Sequence, residues 1–401
     1  MRDRTPAPSP EVKLPDLFYG VRDRLRRTLE EMLNEELSVV LEARASERSE
    51  RRRGYRHGAI ERTVTTGNGA QRMKIPRGRI ADEEGTTREW RSELLPAYQR
   101  RTRAVDEAIL GVYLAGGNTR RIRRALEPLL GTLNLSKSAV SRIVGRLKAS
   151  FEAWCTRDLS GEAYTVLYLD AIYLNVRLAR RVVKVPVQVV LGVNGEGQKV
   201  VIGMQAALRE SISDWKAMID LLRQRGLVDP VLVIVDGALG LRGAIERAWP
   251  KAEVQRCTQH KFENLKSKVP THAHAELKRD YRAITHALSG ENALRAYNAF
   301  LSKWETICPA AAKSLAEGGL ELLTFYRFPR AMWKSLRSTN TLERLNQEFR
   351  RRVKTQGSMP NESAGLVLLY GLLAFGQIKL RKIDGWKAIP MMRDTIAEKV
   401  A

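Results

Sequence analysis

Tyr164-Thr165-Val166-Leu167-Tyr168-Leu169-Asp170 is an apolar run of strand length that closes on a carboxylate, and Val231-Leu232-Val233-Ile234-Val235-Asp236 repeats the pattern further along the chain. A run with no polar side to turn toward water predicts a strand covered on both faces of a sheet. Between them lie two more β-rich stretches, 182–193 and 199–208, joined across Asn194-Gly195-Glu196-Gly197, a strong hairpin signal. Helical spacing over 213–226 (Asp214 and Trp215 near its start) and over 239–249, then a short strand at 253–258, complete the order. Three strands, a helix, a strand, a helix and a strand predict an α/β class: one mixed sheet covered by helices.

Outward from this centre, 261–330 has helical spacing without strands and predicts an all-α insertion. A further helix is expected from Asn340 to about Lys354, and an apolar one over 364–378, after Gly357-Ser358-Met359-Pro360-Asn361, closes the core. Upstream, residues 1–20 contain a Pro-rich stretch and are expected to be disordered, while Leu25, Leu29, Leu33, Leu37, Val40 and Leu41 give 21–48 a helical stripe. The runs Arg62-Thr63-Val64-Thr65-Thr66 and Arg72-Met73-Lys74-Ile75-Pro76 suggest a small basic hairpin region within 49–100. Three helices with tight turns follow over 103–152. The expected domains are thus 21–100, 101–155, a catalytic part made of 160–260 and 335–380, an insertion at 261–334, and a tail at 381–401.

The chain has 401 residues, 43% of them hydrophobic, which is enough for a sizeable core. Lys and Arg number 69 against 45 Asp and Glu, a net charge of +24. That excess is clustered: residues 1–50 carry −2, 51–150 carry +13, 151–250 carry +1 and 251–401 carry +12. Two basic blocks around a neutral middle point to a polyanionic partner, because clustered cations release the counterions condensed on a phosphate backbone. No stretch approaches the roughly 20 apolar residues of a membrane span. Three scattered cysteines (Cys155, Cys257, Cys308) make no disulfide framework, so a reducing, cytoplasmic and nucleoid-associated location is expected.

Two regions carry chemistry. Leu135-Ser136-Lys137-Ser138 opens the third helix of the upstream trio with a serine cap. Lys137, Ser138, Ser141, Arg142, Arg146 and Lys148 then supply the polar, cationic face that a major-groove helix requires, with Val140, Ile143, Val144 and Leu147 toward the core. Asp170 and Asp236 are costly at the ends of buried strands unless an ion or donors compensate. Side by side they would make a hard-oxygen site for Mg²⁺ or Mn²⁺. A third acid completes a site for two ions about 3.5–4 Å apart, suited to a phosphodiester. The plainer alternative is that each aspartate caps the following loop. For the third acid, Glu343, Glu348 and Glu362 are open on spacing alone, and Glu343 also fits a capping box with Asn340.

Tyr168-Leu169-Asp170-Ala171-Ile172-Tyr173, Val235-Asp236-Gly237, Arg256-Cys257-Thr258-Gln259-His260 and Asn340-Thr341-Leu342-Glu343-Arg344-Leu345-Asn346 resemble, in order, motifs of the bacterial mutator-type insertion-sequence transposases. Tyr55-Arg56-His57-Gly58 and Tyr98-Gln99-Arg100-Arg101 are similar too, and the resemblance spans about 20 to 380. It implies a ribonuclease-H-like catalytic domain, which the helix-turn-helix-like DNA-binding region read from 101–155 would precede. The implied acidic triad falls on Asp170, Asp236 and Glu343, with the α-helical insertion between the last two. Ala171 stands where Gly is expected. The implied activity is binding of terminal inverted repeats in double-stranded DNA, metal-dependent strand cleavage with two Mg²⁺ ions, and transfer into target DNA by a homodimer or higher oligomer.

Cys257 and His260 are half a zinc site, for which His272, His274 or Cys308 are the available completions. A buried structural pair, or an element of the active site or DNA contact, are the other readings. Arg337, Arg344, Arg350, Arg351, Arg352 and Lys354 flank Glu343 with cations that would hold phosphates, as would Arg327, Arg330 and Lys334 before it. Trp215, Trp304 and Trp333 belong either to the core or to a surface that stacks an extruded base. A DNA-binding regulator that cuts nothing, and a nuclease that cuts without joining, are the competing functions.

Overall fold

The computed structural model describes residues 14–392 apart from 83–84, 118, 131–134, 179–180 and 355–358. The disordered stretch expected at 1–13 and the tail beyond 392 therefore lie outside the described residues. The chain divides into two compact units, 1–144 and 145–401.

In the first unit, α1 (Leu14–Leu41) begins and ends earlier than the expected 21–48, stopping at the last residue of its apolar stripe. The stretch 14–20, expected to be disordered, is helical. The helix stops before Glu42, which takes a positive φ of 51° and turns the chain out of helical geometry. Leu37 and Leu41 of α1 bury their side chains with Trp90. β1 (Gly54–Thr66) and β2 (Gly69–Ala81) form the expected hairpin, and β3 (Thr87–Glu89) adds an antiparallel edge. Along β2, Gln71, Met73 and Ile75 are buried while Arg72 and Lys74 are exposed, the alternation a half-covered sheet imposes. Gly78 lets α1 approach, since a Cβ there would stand 2.7 Å from a Leu37 methyl.

Three helices follow, α2 (Arg103–Leu114), α3 (Thr119–Leu130) and α4 (Lys137–Thr156), the last running on into the second unit. Ser136 caps α4, its Oγ accepting the Ala139 N–H at 3.1 Å. Val140, Ile143 and Leu147 are buried, while Val144, expected with them, is half-buried.

The second unit is built on five strands: β4 (Val166–Leu178), β5 (Arg181–Val193), β6 (Lys199–Ala206), β7 (Leu232–Val235) and β8 (Glu253–Arg256). Their order is β6-β5-β4-β7-β8, with β4, β5 and β6 antiparallel and β7 and β8 parallel to β4. β4 does not end at Asp170 as its apolar run suggested. It continues to Leu178 because, after parallel pairing with β7 stops at Leu169↔Val235, pairing with β5 goes on, Asp170 facing Val189.

On one face of the sheet, α5 (Ile212–Gln224) and α6 (Leu239–Ala248) pack Trp215, Met218, Leu222, Leu241 and Ile245 onto Leu167, Leu169, Val190 and Val233. Alternation turns Tyr168, Asp170 and Leu174 to the other face. There the Tyr168 hydroxyl donates to Ser335 O at 2.9 Å. Leu174 lies against Gly365 of α13 (Glu362–Ala374), and α12 (Asn340–Lys354) covers Asp170.

Between these layers the chain makes α7 (Thr258–Lys266), α8 (His274–Thr285), α9 (Gly290–Ile307) and α10 (Pro309–Gly318). They surround a core of their own containing Leu277, Tyr297, Phe300, Trp304 and Leu315. The helical part starts at Thr258, inside the run read as strand. Short 3₁₀ turns, rather than α-helix, occupy much of 319–332 before α11 (Trp333–Leu336). Residues 381–392 are no loose tail: Ile383, Ile389 and Met392 are buried, and Ile383 N–H donates to Gly197 O.

Leu169 is fully buried between the sheet and α5–α6. Leu169→Ala is expected to cost about 2–5 kcal/mol of unfolding free energy, from lost transfer and the cavity left behind. Urea denaturation followed by circular dichroism measures it.

Candidate active site

The register that ends the β4–β7 pairing at Leu169↔Val235 puts the next residue of each strand, Asp170 and Asp236, abreast at one edge of the parallel pair. Asp170 is 9% exposed. One of its oxygens accepts the Ala171 N–H at 2.8 Å and the other accepts Asn346 Nδ2 at 3.0 Å. Burial and the charge of Asp236 push its carboxyl up to about 7, while His260 pulls the other way. Asp236 does cap the following turn, Oδ1 accepting the Ala238 N–H at 2.9 Å. The loop-capping alternative therefore holds in part, and it leaves Asp236 close enough to raise Asp170.

Glu343 sits on α12 one turn before Asn346. Asn340 is already helical, so the capping-box alternative does not describe this helix start; Glu343 N–H bonds to Thr339 O in the ordinary helical pattern. Its carboxylate faces His260, Nε2 to Oε1 being 3.6 Å. His260 is pushed up to about 9 by its hydrogen bond to Cys257, against burial, with the charges of Cys257, Asp170 and Glu343 adding to the rise. One imidazole thus feels Asp170 of the sheet and Glu343 of α12. Of the rival acids, Glu348 is paired with Arg351 and Arg352, and Glu362 opens α13.

Cys257 is buried, its Sγ accepting the Thr339 N–H at 3.3 Å. Burial alone would raise its thiol; the hydrogen bond and charge of His260 bring it below its ordinary value. Ligand atoms of Cys257, His260 and Glu343 lie within 4.8 Å of one another. Two of the three possible completions of a zinc site are engaged elsewhere: His274 Nε2 is 2.9 Å from Val269 O and Cys308 Sγ bonds to Lys268 O.

The donor set around Asp170 fits a hard divalent cation. It offers the carboxylates of Asp170 and Asp236 and the Asn346 Oδ1, which is buried and accepts no hydrogen bond among the described residues, whereas the Glu343 carboxylate lies with Cys257 and His260. A bound cation would relieve the crowding that holds the Asp170 carboxyl high. Asn346 is the residue that reading the sequence left unassigned, although it stands three residues after Glu343, on the same side of a helix. Glu210 is another. Its carboxylate accepts the Tyr173 hydroxyl at 2.5 Å on the rim of the cleft, and its charge adds to the rise at Asp170.

Arg256 locks this cleft to the helical part. Its guanidinium donates to Gly237 O at 3.2 Å and to Glu317 of α10 at 2.8 Å. It fills the space where a Cβ at position 237 would stand, 2.3 Å away, and Gly237 has φ +95°. Only glycine suits that turn.

The flanking cations are placed variously. Arg344, Arg350, Arg351 and Lys354 are exposed on α12, Arg352 is half-buried against Glu348, and half-buried Arg337 contacts Thr285 O. Lys137, Ser138, Ser141, Arg142 and Arg146 are all exposed on α4. The basic run Arg120, Arg121, Arg123 and Arg124 of α3, passed over in the sequence reading, is exposed as well. Trp215 and Trp304 are core residues, and half-buried Trp333 packs on Phe325 and Tyr326 with its Nε1 bonded to Phe328 O.

Residues 11–377 match the family model described as "Transposase, Mutator family". The chain is 33% identical over 353 residues to the transposase for insertion sequence element ISRM5 of Rhizobium meliloti, covering 88% of this chain and 86% of that protein. It is 33% identical over 350 residues to the transposase for IS905 of Lactococcus lactis, covering 87% of each. It is 29% identical over 362 residues to the transposase for IS256 in transposon Tn4001 of Staphylococcus aureus, covering 88% and 90%. No described helix is long and apolar enough to cross a membrane.

A carboxyl raised on folding costs stability once it ionises. In metal-free protein the penalty is absent near pH 4, grows as pH rises toward about 7 and is full above it. Asp170→Asn is therefore expected to raise the melting temperature in EDTA at pH 8, by an amount equivalent to a few kcal/mol at most. The gain should shrink toward pH 4, and Mg²⁺ should stabilise the wild type but not the variant.

Proposed function

The chain belongs to the Mutator family of transposases, and from that premise we propose that Asp170, Asp236 and Glu343 are the cleavage centre of a DNA transposase. In this reading β4–β8 form a ribonuclease-H-like sheet. Residues 101–155 form a helix-turn-helix-like domain that binds terminal inverted repeats. The observation that carries the reading is the register Leu169↔Val235, which sets two carboxylates side by side beneath α12. Three antiparallel strands followed by two parallel ones, with helices on both faces, support the fold assignment.

Asp170, Asp236 and Glu343 would hold two Mg²⁺ ions, or Mn²⁺, with Asn346 positioning Asp170. Bound there, the ions supply Lewis acidity and neutralise charge at the phosphodiester. The protein's own part is placement. Ala171 N–H and the Asn346 amide hold the Asp170 carboxylate, and Arg344 and Arg350 offer charge to the backbone near Glu343. Tyrosine is a poor candidate for a covalent intermediate. The Tyr168 hydroxyl is committed to Ser335 O, and the Tyr173 hydroxyl, through Glu210, is pushed up to about 12. Hydrolysis at the element's end followed by attack of the freed 3′-hydroxyl on target DNA is the reaction sequence we infer. Two ends handled together call for a dimer or larger assembly.

Incubation with duplexes carrying the element's ends and a target plasmid tests this. The wild type should nick and join with Mg²⁺ and do neither in EDTA. Glu343→Gln should bind ends and cut nothing, while Asn346→Ala should slow cleavage about 10–100-fold. Equal cleavage by wild type and Glu343→Gln would overturn the site. Nicks without joined product would favour a nuclease, and binding alone a regulator.

Exposed Arg142 and Lys137 at the start of α4 are expected to contact DNA. Removing either as a phosphate contact should lower the slope of log affinity against log salt by about 1, measured by fluorescence anisotropy.

A further inference from the structure

A cavity of about 610 Å³ opens between α7, α8 and the segment leading into α12. It lies within the 145–401 unit but outside the acid cluster. Its size falls within the roughly 300–1,000 Å³ of small-molecule sites, which excludes a duplex. Phe262, half-buried, and Tyr281 supply an aromatic wall, their rings stacked at 5.5 Å and 28°. Arg282, His286 and Arg337 line the cavity as well.

Among the described residues neither Arg282 nor Arg337 pairs with a carboxylate, and Arg337 makes only a long contact of 3.5 Å to Thr285 O. Glu263, the acid that lines the cavity, is turned to Gln259 and Lys266. The crowding is felt at His286, held below its ordinary value by burial and then by the charges of Arg337 and Arg282. Uncompensated positive charge beside an aromatic wall suits an anion that carries a flat ring.

The cavity adjoins the cleft. Ser338 and Asn340 line it, and Thr339 between them contacts His260 and Cys257. Glu343 follows on the same helix.

We propose that this cavity receives one unpaired nucleotide of the DNA strand beside the cut, its base against Phe262 and Tyr281 and its phosphate on Arg282 and Arg337. The proposal rests on the cleavage reading above and adds that the duplex is opened next to the scissile bond. Unpairing costs a few kcal/mol, least where the base is already mismatched or absent. The cavity offsets that cost with stacking and charge.

The test is a permanganate footprint of the complete chain bound in EDTA to duplexes carrying an end, with thymine placed in turn at each position flanking the cut. One flanking thymine should become reactive in the wild-type complex and lose most of that reactivity in Arg282→Ala. Arg282 is exposed, so its removal should leave the melting temperature unchanged. Arg282→Lys should restore much of the signal. With Mg²⁺, an abasic substitution at that position should speed cleavage about tenfold. A bound end with no reactive flanking thymine overturns the proposal, and so does full reactivity in both Arg282→Ala and Phe262→Ala. Because the footprint needs no metal, absence of cleavage by the wild type would count against the cleavage reading separately.

Discussion

Two carboxylates held side by side, Asp170 buried and Asp236 half-buried, are the constraint around which the second unit is arranged. Asp170 and Asp236 come from strands far apart in sequence, and only parallel pairing with this register brings them level. Pairing shifted by one residue would turn one of them to the α5–α6 face, into a wholly apolar core. The hydrophobic faces of β4 and β7 therefore place the chemistry as well as the core. Around the pair, the surroundings supply directed hydrogen bonds: two backbone N–H groups and one amide side chain. That leaves the acids oriented and only partly compensated.

α12 is the second half of the arrangement. Its buried stripe, Leu342, Leu345, Asn346, Phe349 and Val353, is apolar but for one residue, and that residue is the one that reaches Asp170. Packing and chemistry thus use the same helical face. The outward side carries Arg344, Arg350, Arg351 and Lys354. A helix divided in this way can sit on a sheet and still present charge to a polyanion.

Much of this was legible in the sequence, for reasons specific to each element. Buried strands announce themselves as unbroken apolar runs, so the existence and order of all five strands of the large sheet, and the hairpin turn at 194–197, were expected, though not every strand end. α12 was read near its start at Asn340 because its apolar period is regular. The end of β4 was misplaced since an apolar run stops at a charge, whereas pairing stops only where the neighbour does; β5 outlasts β7. The start of α1 was hidden by a nearby Pro-rich stretch. Asn346 was missed because an amide within a polar-looking helix gives no sign of which carboxylate it will meet. The cavity over Phe262 and Tyr281 depends on how α7 and α8 pack, and spacing along a single helix carries no information about that.

Arg256 reaches in two directions, to the carbonyl of the glycine after Asp236 and to Glu317 at the end of α10. Lys261 is drawn into the same knot, bonded to Glu317 and to Ser314 O. The α-helical part between the second and third acids is therefore wired to the turn that aims one of them, rather than appended to the sheet as an independent lobe. A shift of α10 is thus passed, through Arg256 among other contacts, to the backbone beside Asp236.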